Sequence, residues 1–379
     1  MVTPLQPPET AGCRRSGHKI TVVGAGMVGS STAMRIGEQQ LCDELVLVDV
    51  VEGVAEAMAL DIGQALPFAG SDTLVTGGTG YEGTDGSDVV VITAGLPRKP
   101  GQSRADLLEA NGRIVAAVAE EVRTRSPQGV VIVVTNPLDE MTALAQRVTG
   151  FPPERVMGMA GMLDTARFRA FIAWHTKTPP SRVEALTLGS HGETMVPVPR
   201  LSNVRGRPLR EVLPPGEIDA LVERTRDGGA EIVRLLRRGS AWWAPSAAIA
   251  EMASAIVNDS RQVMPVSAYC RGEFGIDGVY VGVPARLGKG GVLEIVDLGL
   301  TSDEVSGLRA AAAEVSERVA ELDQILAGAG EEEPVAPLRA GRDLALESRV
   351  RVAARAVLAR SGELDRLEEV VEQALLRLP

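Results

Sequence analysis

The chain has 379 residues, enough for one large hydrophobic core or two smaller ones. Its net charge of −11 excludes the basic face that a nucleic-acid partner requires. An aromatic content of 3% disfavours base-stacking surfaces and sugar platforms. Cys13, Cys42 and Cys270 show neither zinc nor redox spacing, so reduced thiols in a cytoplasmic protein are expected, with no metal site. Residues 1–17 lack the apolar segment of a signal peptide, and the longest apolar runs are too short to span a bilayer, so no membrane association is expected.

Residues 19–24 predict a short buried strand. A glycine loop follows, then a helix to about residue 40 and a second strand over 45–49, which together make a βαβ unit. Further strands are predicted at 88–93, 129–135 and 155–158, and helices at 54–65, 107–125 and 138–147. Strands this apolar, alternating with helices, predict a parallel sheet covered on both faces.

Beyond residue 160 the pattern changes. Helices are predicted over 164–176, 218–236, 246–259 and 301–326, and strands over 183–188, 262–268, 279–283 and 292–296. The expected division is a flexible tail (1–17), a nucleotide-binding domain (18–160), an α+β substrate domain (161–327) and a helical C-terminal extension (328–379) that opens with a Gly/Ala/Glu/Pro linker. In the extension, Leu364, Leu367, Val371, Ala374 and Leu378 share one helical face. That stripe suits either a hairpin docked on its own subunit or an oligomerisation or partner-binding appendage.

Gly24-Ala25-Gly26-Met27-Val28-Gly29 is a G-x-G-x-x-G placed directly after a strand and opening a helix. Its glycines serve a tight turn, close approach of a pyrophosphate and close helix–strand packing, while the helix amino end presents N–H groups to the phosphates. Asp49 ends the next strand, 20 residues after Gly29. A carboxylate there accepts hydrogen bonds from ribose hydroxyls and repels a 2′-phosphate, which favours NAD over NADP. The fold class is therefore α/β, a Rossmann doubly wound parallel sheet followed by an α+β catalytic domain.

Residues 94–104, Ala-Gly-Leu-Pro-Arg-Lys-Pro-Gly-Gln-Ser-Arg, follow a strand carboxyl end. Three cations within a glycine-bracketed loop suit a lid that closes over an anion, or equally an ordinary solvated turn. Of the three histidines, His18, His175 and His191, only His191 is flanked on both sides by small, loop-forming residues. With Asp164 and several arginines it makes a set able to move a proton and a hydride on a small carboxylic acid. His175, at a helix end where a cation is favourable, reads as structural.

These segments together resemble the lactate/malate dehydrogenase family, and within it the bacterial malate enzymes built on a lactate-dehydrogenase-like scaffold. The matching runs are GAGMVG, LVDVVEG with ALDI, ITAGLPRKPGQSR, VTNPLDEMT, GMAGMLDTARFR, GSHGETMVP, WAPSAAIAEMASAIVND and YVGVPARLGKGG, in the family's order over residues 18–326. The resemblance implies His191 as acid/base and Asp164 as its partner carboxylate. It implies Arg167 on the substrate carboxylate, Arg104 polarising the carbonyl, and Asn136 contacting substrate. Arg98 matches the position that admits a second carboxylate, hence malate and oxaloacetate rather than lactate. Val134, Thr135, Asn136 and Asn111 are implied on the cofactor side together with Gly24 to Gly29 and Asp49, and Ser246 near the nicotinamide.

The implied activity is reversible NAD-dependent oxidation of (S)-malate to oxaloacetate by a homodimer or homotetramer. The alternatives are another 2-hydroxyacid dehydrogenase, lactate dehydrogenase above all, or a catalytically silent NAD-sensing regulator. Two departures stand out: Ser190 and Glu193 occupy positions where the family usually has glycine and aspartate.

Overall fold

Five-residue and four-residue apolar runs in the first half form strands because each is buried on both faces. The computed structural model describes residues 17–97, 104–192, 194–237 and 239–328. In chain order, β1 (Lys19–Val23), α1 (Met27–Glu38), β2 (Glu44–Val48), α2 (Val54–Ala69), β3 (Leu74–Gly78), β4 (Val89–Ile92), α3 (Arg104–Arg125), β5 (Val130–Val133), α4 (Leu138–Thr149) and β6 (Val156–Gly158) build the first half. These six strands lie parallel in the order β3-β2-β1-β4-β5-β6. Alternate residues of each strand enter two cores. Ile20, Leu45, Val91 and Ile132 pack with α1 and α2 on one face, while Val23, Val46, Val90 and Val133 pack with α3 and α4 on the other.

The second half contains α5 (Gly161–His175), β7 (Val183–Glu184), β8 (Thr187–Gly189), β9 (Met195–Pro197), β10 (Asn203–Val204), β11 (Arg207–Pro208), α6 (Leu209–Val212), α7 (Pro215–Leu236), α8 (Trp243–Val257), β12 (Val263–Arg271), β13 (Asp277–Gly288), β14 (Gly291–Ile295) and α9 (Ser302–Gly328). The main sheet continues into it. Ser267 of β12 pairs antiparallel with Gly158 of β6, β13 follows as a hairpin partner, and β8 and β9 close the edge. The expected boundary near residue 160 falls between β6 and α5, and the sheet crosses it through this pair. Among the described residues no helix is long and apolar enough to cross a membrane.

The structure differs from the sequence expectations in places. β3 was not expected: Leu-Val-Thr-Gly-Gly lacks a buried apolar run, because it is an edge strand whose residues stay partly exposed beside β2. The single strand expected over 183–188 is two. β7 joins a small sheet with β10 and β11, and β8 joins the main sheet beside β13. The expected strand at 279–283 extends to Asp277–Gly288, since the hairpin accommodates the facing prolines Pro265 and Pro284. The tail 1–16 and the extension beyond residue 328 lie outside the described residues.

One contact in the added strands fixes the loop that carries His191. Gly282 of β13 faces Gly189 of β8, and a Cβ at Gly282 would stand 2.3 Å from the Gly189 carbonyl oxygen. Gly282→Ala must therefore push β8 off β13. We expect a stability loss of about 1–3 kcal/mol, as for an overpacked core, read as a lower urea midpoint with an unchanged m-value.

Candidate active site

The sheet order reverses between β1 and β4, and in open α/β sheets ligands bind beyond the strand carboxyl ends at such a point. The glycine loop lies there. A Cβ at Gly29 would stand 1.8 Å from the Gly24 carbonyl oxygen, so α1 can start this close to β1 only with glycine at that position. Gly26 caps α1 without any side-chain hydrogen bond, and a Cβ there would meet nothing within 4 Å. The amino end of α1 is thus an open cradle of N–H groups that fits a pyrophosphate. Ala25 is buried, Met27 is exposed and Val28 half-buried at its rim. Asp49, at the end of β2, accepts the Ala25 N–H at 2.7 Å and the Val51 N–H at 3.0 Å, which fixes its carboxylate beside the cradle.

Farther along the carboxyl edge, Val134 and Thr135 are buried and Asn136 is exposed. The Thr135 hydroxyl donates to the Ala94 carbonyl at 2.6 Å. Asn111 is buried: its Oδ1 accepts the Leu96 N–H at 2.7 Å, and its Nδ2 donates to the carbonyls of Leu96 (3.1 Å) and Asn136 (2.7 Å). Its side-chain amide therefore braces the two loops of this edge through their backbones. Ser246 is buried where α1 meets α8, with its hydroxyl accepting from Arg35 at 3.0 Å and donating to the Trp243 carbonyl at 2.9 Å.

Asp164 lies in the first turn of α5, where the helix end favours a negative charge. Its side chain is 2% exposed and divided between two partners. Oδ2 meets His191 Nδ1 at 2.9 Å, and Oδ1 accepts from Arg167 Nη1 at 3.1 Å. Arg167 Nε is buried without a hydrogen-bond partner among the described residues, an orphan donor that suits a ligand carboxylate. Gly228 and Gly229 let α7 pass over the Arg167 side chain: a Cβ at Gly228 would stand 3.2 Å from Arg167 Cδ.

Burial alone would push the His191 imidazole down, but the charge and hydrogen bond of Asp164, helped by Asp139, outweigh burial and the repulsion of Arg167. The net direction is up from the ordinary value. Asp139 also holds the loop itself, since its Oδ2 accepts the His191 main-chain N–H at 3.2 Å while its Oδ1 accepts from Ser267 at 2.6 Å.

Sequence reasoning singled out neither Asp139 nor Ser267, and it missed the Gly228-Gly229 pair. The available signal was a Gly-Gly step inside a helical pattern, which costs helix stability and so calls for a packing reason. Arg98 lies outside the described residues, and Arg104 begins α3. His175 Nε2 stands 2.5 Å from Glu217 Oε2 in an exposed pair, away from Asp164 and His191.

This combination of a dinucleotide cradle with a carboxylate-paired histidine and a partly free buried guanidinium defines a class of nucleotide-dependent oxidoreductase. The lactate/malate dehydrogenase NAD-binding domain matches residues 18–158, and the family's α/β C-terminal domain matches residues 161–325. The chain belongs to the lactate/malate dehydrogenase family. It is 51% identical over 308 residues to the malate dehydrogenase of Chloroherpeton thalassium, covering 81% of this chain and 99% of that one. Among solved structures, the malate dehydrogenase from Salinibacter ruber is 44% identical with a TM-score of 0.78, covering 82% of this chain and 99% of the other. The lactate dehydrogenase of Cryptosporidium parvum, complexed with lactic acid and nicotinamide adenine dinucleotide, is 40% identical with a TM-score of 0.78 and covers the same shares.

The raised His191 value has a pH consequence. If the imidazolium is the proton donor, reduction of a 2-oxoacid is fastest below the folded value and falls as pH rises through it; oxidation of the hydroxyacid runs the other way. The same proton stabilises the fold below the unfolded histidine value, and that contribution disappears as pH climbs past the folded one. Asp164→Asn removes the charge that holds the proton. We expect it to move the alkaline limb of the reduction profile to lower pH and cut kcat/KM about a hundredfold or more. An unmoved limb in initial-rate profiles contradicts the pairing.

Proposed function

We propose that this chain is an NAD-dependent malate dehydrogenase that reversibly oxidises (S)-malate to oxaloacetate with release of a proton. The observation that carries the chemistry is the Asp164 carboxylate shared between His191 and Arg167, in a chain with an open dinucleotide cradle. When bound, NAD supplies the hydride acceptor for oxidation and, as NADH, the donor for reduction. With Nδ1 held by Asp164, His191 Nε2 is the nitrogen that takes the substrate hydroxyl proton in oxidation and returns it in reduction. Arg167 presents its unpartnered Nε to the carboxylate next to the reacting carbon.

Arg104 polarises the carbonyl oxygen, and Asn136 orients the substrate from the end of β5. Arg98 neutralises the distal carboxylate, whose burial without a countercharge would cost several kcal/mol. Gly24 to Gly29 receive the pyrophosphate and Asp49 the adenosine ribose. Val134, Thr135 and Asn136 line the nicotinamide side, and Asn111 serves it through the backbone that it holds.

Residues 18–160 are assigned to NAD binding and 161–327 to substrate binding and catalysis. A cytoplasmic location accords with the free, buried Cys42 and Cys270. A homodimer or homotetramer accords with the exposed Leu60 (65%) and Phe68 (96%) of α2.

Arg98→Gln tests the substrate. We expect kcat/KM for oxaloacetate to fall at least about a hundredfold, as an unpaired buried carboxylate predicts, with a far smaller change for pyruvate. Equal losses on both contradict the role, as does an unchanged kcat/KM for oxaloacetate. His191→Asn tests the chemistry: turnover should fall by about a hundredfold or more while NADH binding, followed by fluorescence, stays nearly unchanged.

A further inference from the structure

Behind the His191 loop lies a second polar cluster that the proposed chemistry does not use. Asp139 and Glu140, adjacent at the start of α4, are both 1% exposed. Burial pushes both carboxyls up, and in Glu140 the neighbouring Asp139 charge adds to it. Arg318 of α9, its side chain 13% exposed, pairs with Glu140 and also with Glu314. Its Nη2 donates to Ser190 Oγ at 3.0 Å. Ser190 is itself buried and directly precedes His191 in the chain. Asp139 in turn accepts the His191 main-chain N–H at 3.2 Å.

The hydroxyl at position 190 gives the last helix a hydrogen-bond acceptor on the residue directly before His191. Neither glycine nor alanine could do so. We propose that Ser190 and Arg318 are positioning residues for His191: the last helix supplies a buried cation that holds the Ser190 hydroxyl while Asp139 holds the next main-chain N–H, and together they fix the backbone that leads into the proton-transferring residue. The proposal rests on the reading of His191 as the acid/base. The imidazole is then held from two sides, its ring by Asp164 and its backbone by Asp139. A small displacement of the loop is costly because proton transfer depends steeply on distance.

The test uses the full-length chain with Ser190→Ala, Arg318→Lys and the double variant. Lysine keeps a charge opposite Glu140 but lacks the planar fork that reaches Glu140, Glu314 and Ser190 together. Ser190→Ala removes one oxygen and carries the test by itself should the lysine variant fail to fold. For each single variant we expect kcat for oxaloacetate reduction to fall about tenfold, with KM for oxaloacetate and NADH within about twofold of wild type. The primary isotope effect with 4-deuterated NADH should rise, because the chemical step becomes slower; a general loss of folded protein would not move it. The double variant should fall no further than the singles, since both break one chain of bonds.

Wild-type kcat and isotope effect in Ser190→Ala overturn the proposal. So do losses that multiply in the double variant, or a loss confined to KM. If instead the wild-type chain oxidises no NADH with any 2-oxoacid, the acid/base reading of His191 fails and this proposal falls with it. An active wild type with unaffected variants removes only the positioning role.

Discussion

A carboxylate taken out of water is tolerated only when it is paired and hydrogen-bonded, and Asp164 meets that condition through His191 and Arg167. This one division of a buried charge sets most of what the site can do. It fixes which imidazole nitrogen faces the carboxylate, raises the affinity of the ring for a proton and turns a guanidinium so that one donor is left over. Removing either cation would leave the negative charge short of a partner, so the pieces stand or fall together.

The fold brings these pieces to one place by extending a single sheet. The parallel strands carry the glycine loop and Asp49, and the antiparallel additions carry the loop of His191. The β6–β12 pair joins the two, and Ser267 on β12 reaches Asp139 at the start of α4. Arg35 of α1 reaches Ser246 of α8 across the same divide. The distance between cradle and imidazole is therefore set by sheet registry and buried polar contacts, not by a flexible linker.

The legible parts were those written locally. A glycine spacing after a strand, an acid at the next strand end and all-apolar strands point to their structure within a few tens of residues, and the G-x-G-x-x-G cradle and Asp49 stand where the pattern put them. The illegible parts depend on contacts distant in sequence. Arg318 looks like a solvated helical charge until α9 is docked, because its partner Ser190 is 128 residues away. Asp139 reads as an acidic first turn of a helix, yet it is buried against a loop 52 residues on. β3 escaped because an edge strand has no need of an apolar run. Arg98, on which the proposed substrate choice turns, is legible in the sequence alone and lies outside the described residues.

The account comes down to a dicarboxylic 2-oxoacid meeting a protonated, carboxylate-held imidazole beside NADH. The most direct measurement is NADH oxidation by the purified chain with oxaloacetate and pyruvate side by side, at a pH below the raised His191 value. A kcat/KM for oxaloacetate far above that for pyruvate is the predicted result; a preference for pyruvate, or a flat absorbance trace with both, would contradict it.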